Sequence, residues 1–174
     1  MTNWSAERAV RESVQTNPAT PERVFPLLCP VREAEWVPGW RYGMVFSQSG
    51  VAELGCVFTT PNDGGSGAGS DDASSQDSGA DDTWVVTEYQ PPWRIGFVWV
   101  RPGLVTARLR FELEPAEGKT RLRARYEYTG LSAAGNAAVA GYTAAWFETK
   151  MQRFEAALNH YLETGMMIQG KAWE

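Results

Sequence analysis

The order in which helix-like and strand-like segments follow one another constrains this chain more than any single residue does. A first stretch, Ala9 to Gln15, alternates apolar and polar residues and reads as a strand. Thr20 then occupies an N-cap position ahead of Pro21, whose fixed φ suits the first residue of a helix. Val24, Leu27 and Leu28 share one face of that helix. Pro30 interrupts it and starts a second short helix carrying Trp36, and Pro38-Gly39 ends this one just before Trp40. A series of strands follows, and one long helix, from about Gly135 to Glu163, closes the chain. This succession predicts a sheet curled around a helix, a shape that leaves room for a cavity.

The strands themselves are written in alternation. Arg41 to Ser47 and Val51 to Thr60 flank Ser49-Gly50 and read as a hairpin. Trp84 to Tyr89 runs to Pro91-Pro92, and Arg94 to Arg101 runs to a turn at Pro102-Gly103. From Val105 to Glu114, the residues Val105, Ala107, Leu109, Phe111 and Leu113 fall on one face; Thr106, Arg108, Arg110, Glu112 and Glu114 fall on the other. Beyond Glu117-Gly118, Leu122, Ala124, Tyr126 and Tyr128 alternate with Arg121, Arg123, Arg125 and Glu127. Two such strands predict a sheet covered on one side only. In the last helix Phe147, Met151, Phe154, Leu158 and Tyr161 form an apolar stripe. Ala140 and Ala144 extend it backward with small residues, so its first half is expected to leave space.

At 174 residues the chain is long enough for one domain with a substantial core. The stretch 61–83 is rich in Gly, Ser and Asp, has no large apolar residue, and reads as a disordered acidic insertion within a single domain spanning 1–174. It also locates the charge. The chain has 21 acidic and 16 basic residues, and the six acids of this stretch leave 21 − 6 = 15 elsewhere, so the folded part is near neutral. A nucleic-acid surface, which should be basic, is not expected. Cys29 and Cys56 are too few for a disulfide framework, no signal peptide is visible, and no apolar run is long enough to span a bilayer. The expectation is a cytoplasmic protein with reduced thiols.

Ala19-Thr20-Pro21-Glu22-Arg23-Val24-Phe25-Pro26-Leu27-Leu28 after the first strand, the Arg-rich paired strands, and the helix from Trp146 to Leu162 together resemble the SRPBCC superfamily, the Bet v 1-like or START-related helix-grip proteins. The resemblance covers nearly the whole chain outside 61–83. It implies an α+β fold: a seven-stranded antiparallel sheet wrapped around a long C-terminal helix, two short helices between strands 1 and 2, and a hydrophobic cavity. Members of the superfamily bind lipids, sterols or polyketides, act as cyclases or hydrolases, or activate a chaperone ATPase. The fold therefore does not choose among these functions.

Candidate chemistry is sparse. The single histidine, His160, lies off the apolar stripe near a helix end and reads as a surface residue. Cys29 and Cys56 read as small buried hydrophobes, with a thiol pair or a thiol beside Glu33 as the rival. Glu33 and Glu35 point about 200° apart on a helix and form no carboxylate pair; Arg32, Glu33 and Arg41 read as solvated charges, with a charged rim where the two helices meet the sheet as the rival. No catalytic residue, metal ligand or cofactor motif is assigned. The aromatics speak for a ligand: Trp36, Trp40, Phe58, Trp84, Phe97, Trp99, Phe111, Tyr126, Tyr128, Tyr142 and Trp146, with Arg101, are expected to line one interior. That predicts binding of a small hydrophobic molecule (lipid, aromatic or polyketide-like) in a cavity between the sheet and the C-terminal helix, with a solid aromatic core as the equal rival. The alternatives are a cyclase- or hydrolase-type enzyme using Arg101 and Tyr126 on a carbonyl, and a module that binds a protein partner.

Overall fold

The computed structural model describes residues 4–62 and 81–170. Its strands are β1 (Arg8–Asn17), β2 (Gly43–Phe46), β3 (Val57–Thr60), β4 (Asp82–Gln90), β5 (Arg94–Arg101), β6 (Val105–Ala116) and β7 (Lys119–Gly130). They make one seven-stranded antiparallel sheet in the order β1-β7-β6-β5-β4-β3-β2. The first strand therefore pairs with the last, and the chain between β1 and β2 must cross from one sheet edge to the other. That crossing carries α1 (Pro21–Val24), a 3-10 turn (Phe25–Leu28) and α2 (Pro30–Glu33). After β7 come α3 (Ala133–Gly141) and the long α4 (Ala144–Thr164). The architecture is the α+β helix-grip arrangement.

The alternation of β6 and β7 produces the covered face as expected: Val105, Ala107, Leu109, Phe111, Leu113, Leu122, Ala124, Tyr126 and Tyr128 are all buried. Helix α4 lays Phe147, Met151, Ala157 and Leu158 against that interior and ends where Gly165 turns left-handed at φ +70°. The opposite face of the sheet is charged, with Arg94 and Arg110 both bonded to Glu88. Most of the predicted insertion, residues 63–80, lies outside the described residues. No helix among the described residues is long and apolar enough to cross a membrane.

Several local expectations change. The edge hairpin is shorter than the alternation predicts, because β2 and β3 are only four residues each. Between them the Glu53 carboxylate accepts the backbone N–H groups of Gln48 and Ser49, which folds 47–56 into a loop instead of strand. Strand β4 starts at Asp82, inside the stretch assigned to the insertion, and Asp82 is buried. Thr20 holds the N-cap position of α1, but its side chain makes no capping bond there.

Two further differences bear on the interior. The C-terminal helix is divided: Tyr142, at ψ +61°, leaves helical geometry, and Thr143 starts a new helix by accepting the Trp146 N–H at 3.2 Å. The break turns Ala140 and Ala144 outward; in α3 it is Gly135 and Val139 that are buried. The other difference is on β1, whose inward positions Gln15 and Asn17 are buried while Val10 and Val14 are exposed. Hydrogen bonding to α4 takes the place of apolar packing there: Asn17 Nδ2 donates to Asn159 Oδ1 at 2.6 Å, and Asn159 Nδ2 donates to the Thr16 carbonyl at 3.1 Å.

Candidate ligand-binding site

The aromatic residues singled out in the sequence form a nearly continuous set of ring contacts over the inner face of the sheet. Trp99 lies 5.8 Å from Trp84, and Trp84 stacks on Phe58 at 5.6 Å. Phe97 meets both Phe58 and Trp84 edge-on at 6.3 Å, then reaches Phe111 at 6.5 Å. Phe111 leads to Tyr126 at 6.1 Å and Tyr126 to Tyr128 at 5.9 Å. From the sheet the contacts pass up to the helix break, with Tyr128 4.5 Å from Tyr142 and Tyr142 4.9 Å from Trp146. Trp36 joins through Phe154, which it meets at 5.0 Å and which stacks on Phe111 at 5.8 Å. Such pairs add about 0.5–1.5 kcal/mol each beyond their burial, so this wall is rigid.

Not every member is available to a ligand. The indole N–H groups of Trp36, Trp40 and Trp84 donate to the Leu27 carbonyl (2.9 Å), the Pro30 carbonyl (2.8 Å) and Thr60 Oγ1 (3.0 Å). These three tryptophans pin the crossing segment and the β3–β4 pair instead of offering free donors. Arg101 is committed as well. Its Nε and NH2 bond both oxygens of Asp82 at 2.9 and 2.8 Å, and its guanidinium lies 5.6 Å from the Trp99 ring centre. With the Asp82 side chain only 4% exposed, this fork ties β4 to β5, and the expectation that Arg101 polarises a carbonyl gives way to a structural role.

The polar chemistry sits elsewhere, at Glu33, Lys150 and Tyr126. Lys150 projects from the inward side of α4, its Nζ 4.5 Å from the ring centre of Tyr126 and 5.3 Å from that of Trp146. Glu33, at the end of α2, and Lys150 act electrostatically on each other, and Glu33 also acts on Tyr126. Burial pushes the Glu33 carboxyl up to about 8, with Lys150 partly offsetting it. Burial pulls the Lys150 ammonium down to about 7, opposed by Glu33. The Tyr126 hydroxyl is pushed up, first by burial and then by the Glu33 charge. Glu33 and Lys150 are each half-buried, and Tyr126 is buried. Among the described residues none of the three side chains has a hydrogen-bond partner, and the neighbouring Tyr128 hydroxyl is buried without one.

Lys150 is the functional candidate that sequence reasoning passed over. Its signal was the helical period: it follows Phe147 by three positions and precedes Phe154 by four, which places a lysine on the apolar stripe. The opposed directions of Glu33 and Glu35 are as the helical angle predicts, but the rim changes membership. Glu35 pairs with Arg32 and accepts from the Tyr161 hydroxyl outside, while Glu33 turns inward. Cys29 and Cys56 are both free and buried; Cys29 Sγ accepts the Ala52 N–H at 3.2 Å, and Cys56 Sγ lies 3.7 Å from Met44 Sδ. His160 stands ten residues beyond Lys150 on α4, about 15 Å along the axis.

No protein-family model matches the chain, and no curated protein matches it at a significant level. Solved structures do match. A protein of Rhizobium leguminosarum is similar over 91% of this chain and 97% of its own, at 16% identity and a TM-score of 0.61. Ara h 8.0201 is similar over 91% of this chain and 99% of its own, at 14% identity and a TM-score of 0.62. CalU16 from Micromonospora echinospora is similar over 98% of this chain and 89% of its own, at 14% identity and a TM-score of 0.53. At such identities the likeness concerns the fold alone, and it agrees with the helix-grip fold expected from the sequence.

Proposed function

We propose that this protein binds a small, largely apolar, ring-containing molecule between the inner face of the sheet and α4. Phe97, Trp99, Phe111, Tyr126, Tyr128, Tyr142 and Trp146 are its walls, and Lys150, Glu33 and the Tyr126 hydroxyl are its polar contacts. One observation carries the reading: Glu33, Lys150 and Tyr126 meet at the ring-lined inner face with no side-chain hydrogen bond among the described residues. A solid core pairs such groups or excludes them, because each one left unpaired costs about 1–3 kcal/mol. A ligand burying roughly 300 Å² of apolar surface against these rings gains about 7 kcal/mol before the costs of association, enough for micromolar binding where those costs are modest.

The protein acts in the cytoplasm in this reading, where its two buried thiols stay reduced. A second reading, chemistry on the bound molecule, is favoured by the amine and the carboxyl that both titrate near neutrality. Arg101, held by Asp82, is not its instrument. A partner-binding role would rest on the apolar side chains exposed at the edge hairpin, Val45, Phe46 and Leu54, away from this site. The test is a panel of polycyclic phenols, aryl carbonyl compounds, sterols and fatty acids, read by tryptophan fluorescence and thermal shift. Ring compounds are expected to quench fluorescence and raise Tm in a saturable way. No saturable response to any compound would refute the reading.

A further inference from the structure

We propose that Lys150 is an amine nucleophile and that the molecules this site takes are aldehydes or ketones carrying an aromatic or polycyclic ring, held as an imine on Lys150 with Glu33 moving the protons. The inference rests on the binding site proposed above and names the class of ligand. Three features of the site carry it. Lys150 Nζ lies against two ring faces, Tyr126 and Trp146, with no carboxylate within ion-pair distance among the described residues. Glu33, which acts on it electrostatically, has no side-chain hydrogen bond among the described residues. The two stand on different elements, α4 and α2, so a carbonyl group entering between the sheet and α4 has an amine and a carboxyl to meet. An apolar surround favours the uncharged amine and the protonated carboxyl, the forms the reaction needs.

The step balances without a further reactant. The Lys150 lone pair adds to the carbonyl carbon as the C=O π bond breaks, and the oxygen takes the Glu33 proton. The nitrogen returns one proton to the Glu33 carboxylate, leaving a neutral carbinolamine. Glu33 then protonates the carbinolamine hydroxyl, the C–O bond breaks, water leaves, and the nitrogen lone pair closes the C=N bond. Amine, carbonyl and carboxylic acid have become iminium, water and carboxylate. Placed over the faces of Tyr126 and Trp146, the iminium charge gains cation–π stabilisation in an interior with few other compensating groups.

The chain contains only three lysines, Lys119, Lys150 and Lys171, so the site of a covalent label is read directly by peptide mass spectrometry. The experiment incubates the full chain with 2-naphthaldehyde and sodium cyanoborohydride near neutral pH, with exposed Lys119 as the internal reference. Non-covalent binding of 2-naphthylmethanol, which has the same ring system and no carbonyl, is measured in parallel by tryptophan quenching. The expected result is reductive alkylation at Lys150 at least about tenfold faster than at Lys119. Lys150→Met abolishes that label, and Glu33→Gln slows it relative to Lys119. Saturable binding of the alcohol with aldehyde label no faster at Lys150 than at Lys119 overturns the imine and leaves the binding site standing. Preferential labelling that persists unchanged in Glu33→Gln overturns the role of Glu33. Binding of neither compound takes down the imine and the ring-binding site together. Since Lys150→Met is open to misfolding, Lys150→Arg, which keeps a cation and forms no imine, is run with it; fast labelling surviving elsewhere in either variant overturns the assignment.

Discussion

At the scale of single residues, the interior pair makes stability depend on pH with two opposite signs. The Glu33 carboxyl has its folded value raised from 4.5 to about 8, so the folded protein holds this proton more tightly than the unfolded chain. The stability this gives is complete below 4.5 and is lost as pH rises through about 8. Lys150 is lowered from 10.5 to about 7; its contribution is complete above 10.5 and is lost as pH falls through about 7. A neutral replacement removes the corresponding slope. Lys150→Met is therefore expected to gain Tm on the wild type as pH falls from about 10 to about 6, and Glu33→Gln to gain as pH rises from about 5 to about 9. Melting curves across that range check both; variants that track the wild type in parallel would show the two groups to be solvated. Half of this pair was legible in the sequence, since the spacing of Lys150 from Phe147 and Phe154 already turns it inward. Glu33 was not, because a four-residue helix does not by itself say which of its faces meets the sheet. The individual donors were also beyond reach: whether a tryptophan N–H is free depends on carbonyls such as those of Leu27 and Pro30, which only the folded crossing brings near.

At the scale of elements, two joints position the site. The first ties β4 to β5 through Asp82 and Arg101 beneath Trp99. Asp82→Ala leaves the guanidinium half-buried and unpaired and is expected to lower stability by about 3 kcal/mol, measured as a fall in the urea midpoint at unchanged m. A loss below about 0.5 kcal/mol would mean that water already screens the pair. The second joint is where α3 meets the end of β7. A Cβ on Gly135 would stand 1.8 Å from the Leu104 carbonyl oxygen and 3.3 Å from the Gly130 Cα, so backbone lies where a side chain would go. Gly135→Ala is expected to cost more than about 2 kcal/mol, against about 1 kcal/mol for Thr143→Ala, which removes only a cap. Reversal of that order in denaturant melts would contradict the packing described. The sequence pattern predicted the long strands well because β6 and β7 bury one clean face. It merged α3 with α4 because an apolar stripe carries no mark of a break; the available signal was Gly141 and Thr143 flanking Tyr142, a helix end followed by a cap.

At the scale of the whole molecule, the sheet order places the polar groups and the rings in one space. Because β1 pairs with β7, the segment after β1 has to cross to β2, and this crossing carries Glu33 and Trp36 over the sheet toward α4. The break between α3 and α4 brings Tyr142 and Trp146 onto Tyr128 from above. The sequence therefore announced the fold through the order of its elements, and the aromatic character of its inner face. It did not announce the polar contacts, which come from segments more than a hundred residues apart meeting at Lys150. The central claim, that this interior is a site and not a filled core, is tested most directly by native mass spectrometry of the intact chain with a saturating aryl compound from the panel. The account predicts a one-to-one complex that survives desolvation in the wild type and is weakened in Lys150→Met. A spectrum of ligand-free protein with every compound, from a chain that melts cooperatively, would contradict it.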